Sequence, residues 1–173
     1  MRLVSYNLIR NEYRLGLFID DLVYDAAETV SVYEEENNQP RSYFPSDMIE
    51  FLERGDEAVK TLDQATQYFH KEGRKTDRWG KTIALPLDSV QLGAPVLRPG
   101  NTIGIARNYS DKISQEAKSG VSRTDKIPRM FTKPVTAVVG PDQPIYVPPH
   151  ADDVITEVEL GFVIGKRGRY IPA

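Results

Sequence analysis

The chain has 173 residues, a formal net charge of −3 at pH 7 and a hydrophobic content of 40%. This length fits one ordinary domain or two small ones, and the composition is that of a folded, soluble protein. Because the chain is weakly acidic and no cluster of Lys and Arg stands out, no nucleic-acid partner is expected.

Cysteine is absent, which excludes disulfides, zinc-thiolate sites and cysteine nucleophiles. No signal sequence opens the chain, and no apolar run approaches the roughly 20 residues that cross a bilayer. We therefore expect a cytoplasmic protein without a membrane partner. With only His70 and His150, a metal site must rely on oxygen ligands, which favours Mg, Ca or Mn.

The first elements are strands. Residues 3–24 alternate as three paired strands do, and Asp20 and Asp21 predict a tight turn between the second and third. A helix could begin at Ala26, but residues 34–40 predict a solvated loop. The pattern indicates a small antiparallel meander.

Two helices follow. The first begins after Ser46, whose hydroxyl can cap it, and ends at Gly55. The second runs from about Asp56 to Lys71 and ends at Gly73. Their apolar residues recur at helical spacing, so both are interpreted as packing elements without chemistry.

Beyond residue 83 the chain is rich in strand patterns, proline and glycine. A Pro-rich stretch near residues 93–100 predicts a boundary between an N-terminal domain of residues 1–95 and a second domain of residues 96–173. The expected fold class is α+β.

Residues 101–109 predict a site at the end of a strand. Ile103 and Ile105 indicate a short buried strand that delivers Arg107, Asn108 and Tyr109 into a loop. Arginine offers a planar fork for a carboxylate, and tyrosine offers a hydroxyl. The alternative is an ordinary turn with a surface arginine.

Lys133 lies in a strand-like run that Pro134 ends. Burying its charge without a partner would be costly, so it could complement an anionic substrate, or its ammonium could extend into water. On the second helix, His70 is interpreted as a surface or packing residue. The loop residue His150 could be a base, although loop histidines are more commonly structural or exposed.

The most informative segment is residues 155–164, whose alternation predicts a strand with one apolar face. The other face would carry Glu157 and Glu159, about 6.5–7 Å apart at roughly 3.3 Å per residue. Two carboxylates so placed can bind one hard divalent cation. The alternative is a half-exposed strand whose solvated face is acidic.

The order and spacing of four motifs resemble the fumarylacetoacetate hydrolase family over roughly residues 100 to 170. The first 95 residues look like the variable N-terminal domain that some members carry. The motifs are Gly104-Ile-Ala-Arg-Asn-Tyr109, Pro128-x-x-Phe-x-Lys-Pro134, Gly140-Pro141 with Ile145 and Pro148, and Glu157-x-Glu-Leu-x-x-Val-Ile-Gly-Lys166.

This resemblance implies the start of a mixed β-sandwich or β-roll catalytic domain that binds Mg or Mn and is a homodimer at full length. Members hydrolyse, decarboxylate, dehydrate or isomerise 2-oxo acids and 1,3-diketo acids. It implies Glu157 and Glu159 as two of three metal-bound carboxylates, which would stabilise an enolate through the ion. The other implied site residues are Lys133 and Lys112 as catalytic groups, and Arg107, Asn108, Tyr109 and Thr136 as substrate-binding groups.

The sequence departs from the family pattern in two places. The third acidic ligand of the family lies beyond the position of Ala173. Many members also follow Asn-Tyr with a histidine and then a glutamate that activate water, where this chain has Lys112 and Gln115. A protonated lysine has no lone pair to act as that base.

Three hypotheses follow. The first is a truncated or partner-dependent part of a metal-dependent enzyme, inactive alone, whose parent favours dehydration, decarboxylation or isomerisation over hydrolysis. The second is a non-catalytic fragment or binding protein that keeps the family's strands. The third is an unrelated α+β module with an acidic strand.

Overall fold

The computed structural model describes residues 1–8, 12–106 and 128–172. It divides into two compact units, one of Met1–Leu97 with Val139–Ala173 and one of Arg98–Val138. Helices and antiparallel sheets occur together, as expected for the α+β class. The domain division at residues 95 and 96, and a β-sandwich or β-roll beyond it, stay predictions.

The larger unit contains a five-stranded antiparallel sheet. Its strands are β1 (Leu3–Asn7), β2 (Tyr13–Ile19), β3 (Leu22–Asp25), β4 (Ala84–Pro86) and β5 (Gln91–Leu92), and their order in the sheet is β4-β3-β2-β1-β5. The predicted turn between β2 and β3 is confirmed, with Asp20 and Asp21 at φ of 47° and 62°. Positive φ at both positions matches the twist of the flanking strands, and aspartate tolerates it.

Helix α1 (Ala26–Glu36) extends into residues predicted to be a loop. The reason is Glu34, which is buried and accepts hydrogen bonds from the backbone N–H of Ser42, at 2.9 Å, and from its hydroxyl. A buried carboxylate needs such partners, and here they lie beyond the end of the helix. Glu34 therefore holds the segment that follows α1 against the end of the helix.

Two further helices are α2 (Met48–Arg54) and α3 (Asp56–Glu72). Asp47, not Ser46, caps α2, since one carboxylate oxygen of Asp47 accepts two backbone N–H bonds of 3.0 Å. The predicted glycine ends are confirmed, with φ of 63° at Gly55 and 60° at Gly73. Glycine is suited to both positions because it lacks a Cβ.

The main core lies between one face of this sheet and the helices. Helix α3 contributes residues at helical spacing, and β2 contributes alternate residues. All of the fully buried members precede residue 85, so this core is built by the N-terminal part of the chain. Its largest members include Leu15, Leu17, Val30, Phe51, Leu62 and Phe69.

The smaller unit contains a two-stranded antiparallel ribbon of β6 (Thr102–Ala106) and β7 (Arg129–Lys133). The strand at Ile103 and Ile105 forms as predicted, but its predicted burial is wrong. Their exposed fractions are 60% and 46%. Among the described residues of the smaller unit, no further sheet or α-helix is present that could cover either face of the ribbon.

Residues 139–172 contain no helix or strand, and every residue from 141 onward in that range is exposed. The predicted strand at residues 155–164 is therefore not formed. A strand needs a neighbour to satisfy its backbone groups, and no strand in the described ranges pairs with this segment. Among the described residues, no helix is both long and apolar enough to cross a membrane.

Candidate functional site

Glu157 and Glu159 lie in the exposed segment without regular structure. The apolar residues interleaved with them are exposed too, Val158 at 101% and Leu160 at 72%. No group of three or more His, Cys, Asp or Glu that could hold a metal occurs within the described part of the chain. The assignment of Glu157 and Glu159 as metal ligands stays a prediction.

The carboxylate oxygens of Glu157 and Glu159 can be compared with the ligands that Mg and Mn prefer, since these are the metals that the family resemblance implies. Mg and Mn take oxygen ligands, and two carboxylates separated by one residue fit that preference in kind. In number they fall short, because an octahedral ion held by two carboxylates keeps mostly water ligands. The described residues therefore supply part of a donor set.

Lys133 is the last residue of β7 and is exposed. Pro134 then directs the chain into a short 3-10 turn, Val135–Ala137, that contains Thr136. The turn is closed by the backbone N–H of Ala137, which donates to the carbonyl of Pro134 at 2.9 Å. The proline thus places an ammonium and a hydroxyl three residues apart on consecutive elements of one unit.

The ribbon is amphipathic, and its register decides which residues share a face. Lys133 pairs with Thr102, and Phe131 pairs with Gly104. Alternate residues of a strand lie on the same face, so Arg129 shares this face and makes it cationic. The opposite face is apolar and exposed, and it carries Ile103, Ile105 and Met130.

Four predicted site residues lie outside the described part of the chain. They are Arg107, Asn108, Tyr109 and Lys112. Their roles stay predictions. Lys133 and Thr136 lie in one unit and the two glutamates in the other.

Both histidines are on the surface. On α3, His70 has its Nδ1 4.0 Å from Oδ2 of Asp20, and both side chains are largely exposed. His150 is exposed in a turn. The prediction of His70 as a surface residue is confirmed.

A buried carboxylate that sequence reasoning missed lies at the junction of β3 and α1. Asp25 accepts hydrogen bonds from the Tyr6 hydroxyl at 2.7 Å, Arg14 Nε at 2.5 Å and the backbone N–H of Glu28 at 2.9 Å. An aspartate immediately before a helix that begins at Ala26 was the available signal. The cluster joins β1, β2 and β3 to α1.

These contacts shift the pKa values of Asp25 and Tyr6. Burial alone raises the pKa of Asp25, but the hydrogen bonds from Arg14, Glu28 and Tyr6 outweigh it and leave that pKa below its ordinary value. Burial and the adjacent carboxylate raise the pKa of the Tyr6 hydroxyl. The cluster is an anchor, with Asp25 ionised and Tyr6 protonated at neutral pH.

A second missed feature is a set of ion pairs between α1 and the basic segment that follows α3. The segment is closed by an isolated bridge between Thr76 and Thr82. Its exposed Trp79 lies under the guanidinium of Arg78, which is 4.3 Å from the ring centroid. The pairs are Arg74–Glu36, Arg78–Glu35 at 3.0 Å and Lys81–Glu28 at 2.8 Å.

The described residues of the larger unit also form an open cleft of about 420 Å³. Leu87, Leu92 and Pro141 are among the residues that line it. No predicted site residue borders it, so the cleft is not the site predicted from the sequence.

Comparison with known proteins gives a family match in the second half of the chain. Residues 101–173 match the family described as fumarylacetoacetate (FAA) hydrolase C-terminal. Oxaloacetate tautomerase FAHD2A, mitochondrial, of Bos taurus is 34% identical over 129 residues, which are 75% of this chain and 36% of that protein. Protein Rv2993c of Mycobacterium tuberculosis is 38% identical over 88 residues, which are 51% of this chain and 31% of that protein.

The chain therefore spans about a third of the length of the curated relatives it matches. A crystal structure of maleylpyruvate hydrolase from Sphingobium sp. SYK-6, in complex with manganese(II) ion and pyruvate, aligns with a TM-score of 0.49 and 21% identity. That alignment covers 86% of this chain and 43% of that one. At this level the structural similarity supports no conclusion about chemistry.

Proposed function

Because this chain belongs to the fumarylacetoacetate hydrolase family, we propose that it is part of a divalent-metal-dependent enzyme that acts on a 2-oxo acid. The observation that carries the proposal is the position of the family match. Residues 101–173 include Lys133, Glu157 and Glu159. The chemistry-bearing residues of the sequence thus fall within the segment that matches.

For the metal, we propose that Glu157 and Glu159 supply two carboxylate ligands to Mg or Mn. A divalent ion bound there would stabilise negative charge that develops on the oxo-acid oxygens. Support comes from the donor type and from the one-residue spacing, which lets both carboxylates reach one ion when the backbone is extended. Further ligands are required, and the family pattern provides an acidic one.

For the substrate, we propose that the cationic face of the ribbon binds a carboxylate group. Lys133 is exposed on that face, and the hydroxyl of Thr136 follows after the proline turn. An ammonium and a hydroxyl can both donate hydrogen bonds to carboxylate oxygens. Arg107, Asn108 and Tyr109 are proposed to complete this binding site.

For the reaction, we propose isomerisation by keto–enol tautomerisation. This reaction moves one proton between carbon and oxygen and consumes no water. Two features support it: the bovine relative of 34% identity is named an oxaloacetate tautomerase, and Lys112 and Gln115 replace the water-activating pair of hydrolytic members. Homodimerisation of the full-length protein and a cytoplasmic location remain predictions.

The second candidate function is a non-catalytic binding protein. It is favoured by one observation: the described residues contain no group of three or more His, Cys, Asp or Glu side chains that could together bind a metal ion. In that case the chain would bind a carboxylate or a metal weakly and would not convert a substrate.

Calorimetric titration with MnCl₂ tests the metal proposal. We expect weak binding by the unaltered chain, and its loss in Glu157→Gln and Glu159→Gln. The control is Asp152→Asn, an exposed acid of the same segment, which should bind as the unaltered chain does. Absence of binding at millimolar Mn would contradict the role of the pair in this chain.

An assay of enol-oxaloacetate decay in the presence of Mn separates the two candidate functions. Acceleration above the metal-only rate, lost in the two glutamine variants, supports the enzyme. Metal binding without acceleration by this chain alone is expected of a binding protein and also of an enzyme part that is inactive alone. The same result with the full-length parent protein favours the binding protein. Parallel assays of oxaloacetate decarboxylation and acylpyruvate hydrolysis test the reaction class.

A further inference from the structure

Gly104 and Phe131 face each other across the ribbon as a directly paired couple. A Cβ added to Gly104 would lie 2.2 Å from Cζ of the Phe131 ring and 2.6 Å from both of its Cε atoms. The ring therefore lies over the glycine, in space that any other residue would occupy. The position restricts the movement of the Phe131 ring because the ring packs directly against the backbone of β6 at Gly104.

The same ring contacts Lys133. The Nζ atom of Lys133 is 5.5 Å from the ring centroid, within the range of a cation–π interaction. Phe131 and Lys133 are two residues apart on β7, so both project from the cationic face. The contact thus links a restricted ring to a flexible cation.

Burial does not explain why an aromatic residue stands here. Phe131 is 45% exposed, and its neighbours on this face are small or charged. The other exposed large apolar side chains of the ribbon, Ile103, Ile105 and Met130, lie on the opposite face. A ring packed on glycine and next to an ammonium is better explained by what it does to the lysine.

We propose that Phe131, seated on Gly104, is a positioning residue that fixes the direction of the Lys133 ammonium above the cationic face. A lysine side chain loses considerable rotamer freedom when it binds an anion, and an aromatic contact removes part of that freedom beforehand. The positioning itself is a property of the ribbon. Its use, in binding the carboxylate of a small 2-oxo acid, rests on the proposed function.

Proton–carbon correlation NMR of the full chain, with labelled lysine, tests the positioning directly. The ε-methylene signal of Lys133, assigned by its loss in Lys133→Arg, should lie upfield of the Lys166 signal because of the aromatic ring current. In Phe131→Leu we expect this displacement to disappear. Phe131→Tyr should keep it, and Gly104→Ala should reduce it by displacing the ring.

Met130→Leu is the matched control, because Met130 neighbours Phe131 but lies on the opposite face. It should leave the Lys133 signal in place. A Lys133 signal at the same position in the unaltered chain and in Phe131→Leu would overturn the proposal, as would an equal displacement by Met130→Leu.

Titration with pyruvate in the same spectra separates the positioning from the proposed function. We expect Phe131→Leu to weaken pyruvate binding two- to five-fold, roughly the effect of an exposed cation–π contact. Phe131→Tyr should restore the affinity. If the unaltered chain binds no pyruvate, the proposed function fails for this chain, whereas the ring-current result still decides the role of Phe131.

Discussion

Arg14 donates from Nε to Oδ2 of Asp25 at 2.5 Å, and this contact joins the middle of the sheet to the start of α1. The hydroxyl of Tyr6 donates to the same oxygen, while the other oxygen caps the helix. One carboxylate thus serves three elements. Among the described residues, every buried side-chain nitrogen and oxygen has a hydrogen-bond partner.

Substitution of Asp25 by Asn should destabilise the chain. The amide keeps the shape but loses the charge, and its NH₂ cannot accept a hydrogen bond. Its single oxygen can replace only one carboxylate oxygen, so either Glu28 or the pair Arg14 and Tyr6 loses its acceptor. Loss of charge-assisted hydrogen bonds costs about 1.5–3 kcal/mol in the free energy of unfolding. Urea denaturation followed by circular dichroism measures it. The exposed turn variant Asp21→Asn is the control, and equal midpoints for the two variants would contradict the role of Asp25.

Stability should also fall in acid, and Asp25 should contribute to the slope. The pKa of Asp25 in the folded chain is lowered, since hydrogen bonds from Arg14, Glu28 and Tyr6 outweigh the opposing effect of burial. The carboxylate therefore adds stability above its unfolded pKa of about 3.9, and this contribution is lost as pH falls through the lower folded pKa. Urea midpoints between about pH 2.5 and 6 should fall less steeply in Asp25→Asn than in the unaltered chain.

A methyl group at Gly16 should strain the sheet. A Cβ there would lie 2.7 Å from Cγ1 of Val23 and 2.9 Å from Cδ1 of Tyr6, both in the core. Overpacking of this kind costs about 1–3 kcal/mol of unfolding free energy. At Gly100 a Cβ would meet nothing within 4 Å, so Gly100→Ala is the matched control. Similar thermal midpoints for both variants would show that the sheet accommodates the methyl group.

The cap of α2 can be assigned by a paired substitution. Asp47→Ala removes the acceptor of two backbone N–H bonds and should cost about 1 kcal/mol. For Ser46→Ala we expect a change of less than about 0.5 kcal/mol, as for other surface substitutions. Denaturant midpoints of the two variants give the comparison. A larger loss in Ser46→Ala would restore the serine as the cap.

The acidic segment, residues 155–164, differs from the structure predicted for it. Its alternation predicted a strand with Glu157 and Glu159 on one face, yet residues 139–172 form no strand. The alternation describes which side chains would share a face, but a strand also needs a hydrogen-bonded neighbour. The role of the two glutamates as metal ligands therefore stays a prediction from the motif, and their convergence on one ion is proposed from their spacing.

The local sequence pattern was sufficient to predict the elements whose interactions are close in sequence. Alternation, a paired aspartate turn and terminal glycines determined β1 to β3, α2 and α3, and the order of four motifs determined the family. Tertiary structure alone decided the burial of Glu34, the three strands that meet at Asp25, the exposure of Ile103 and Ile105, and the ring over Gly104. Each of these depends on which residues of other segments pack against the side chain. The residues next to it in sequence do not contain that information.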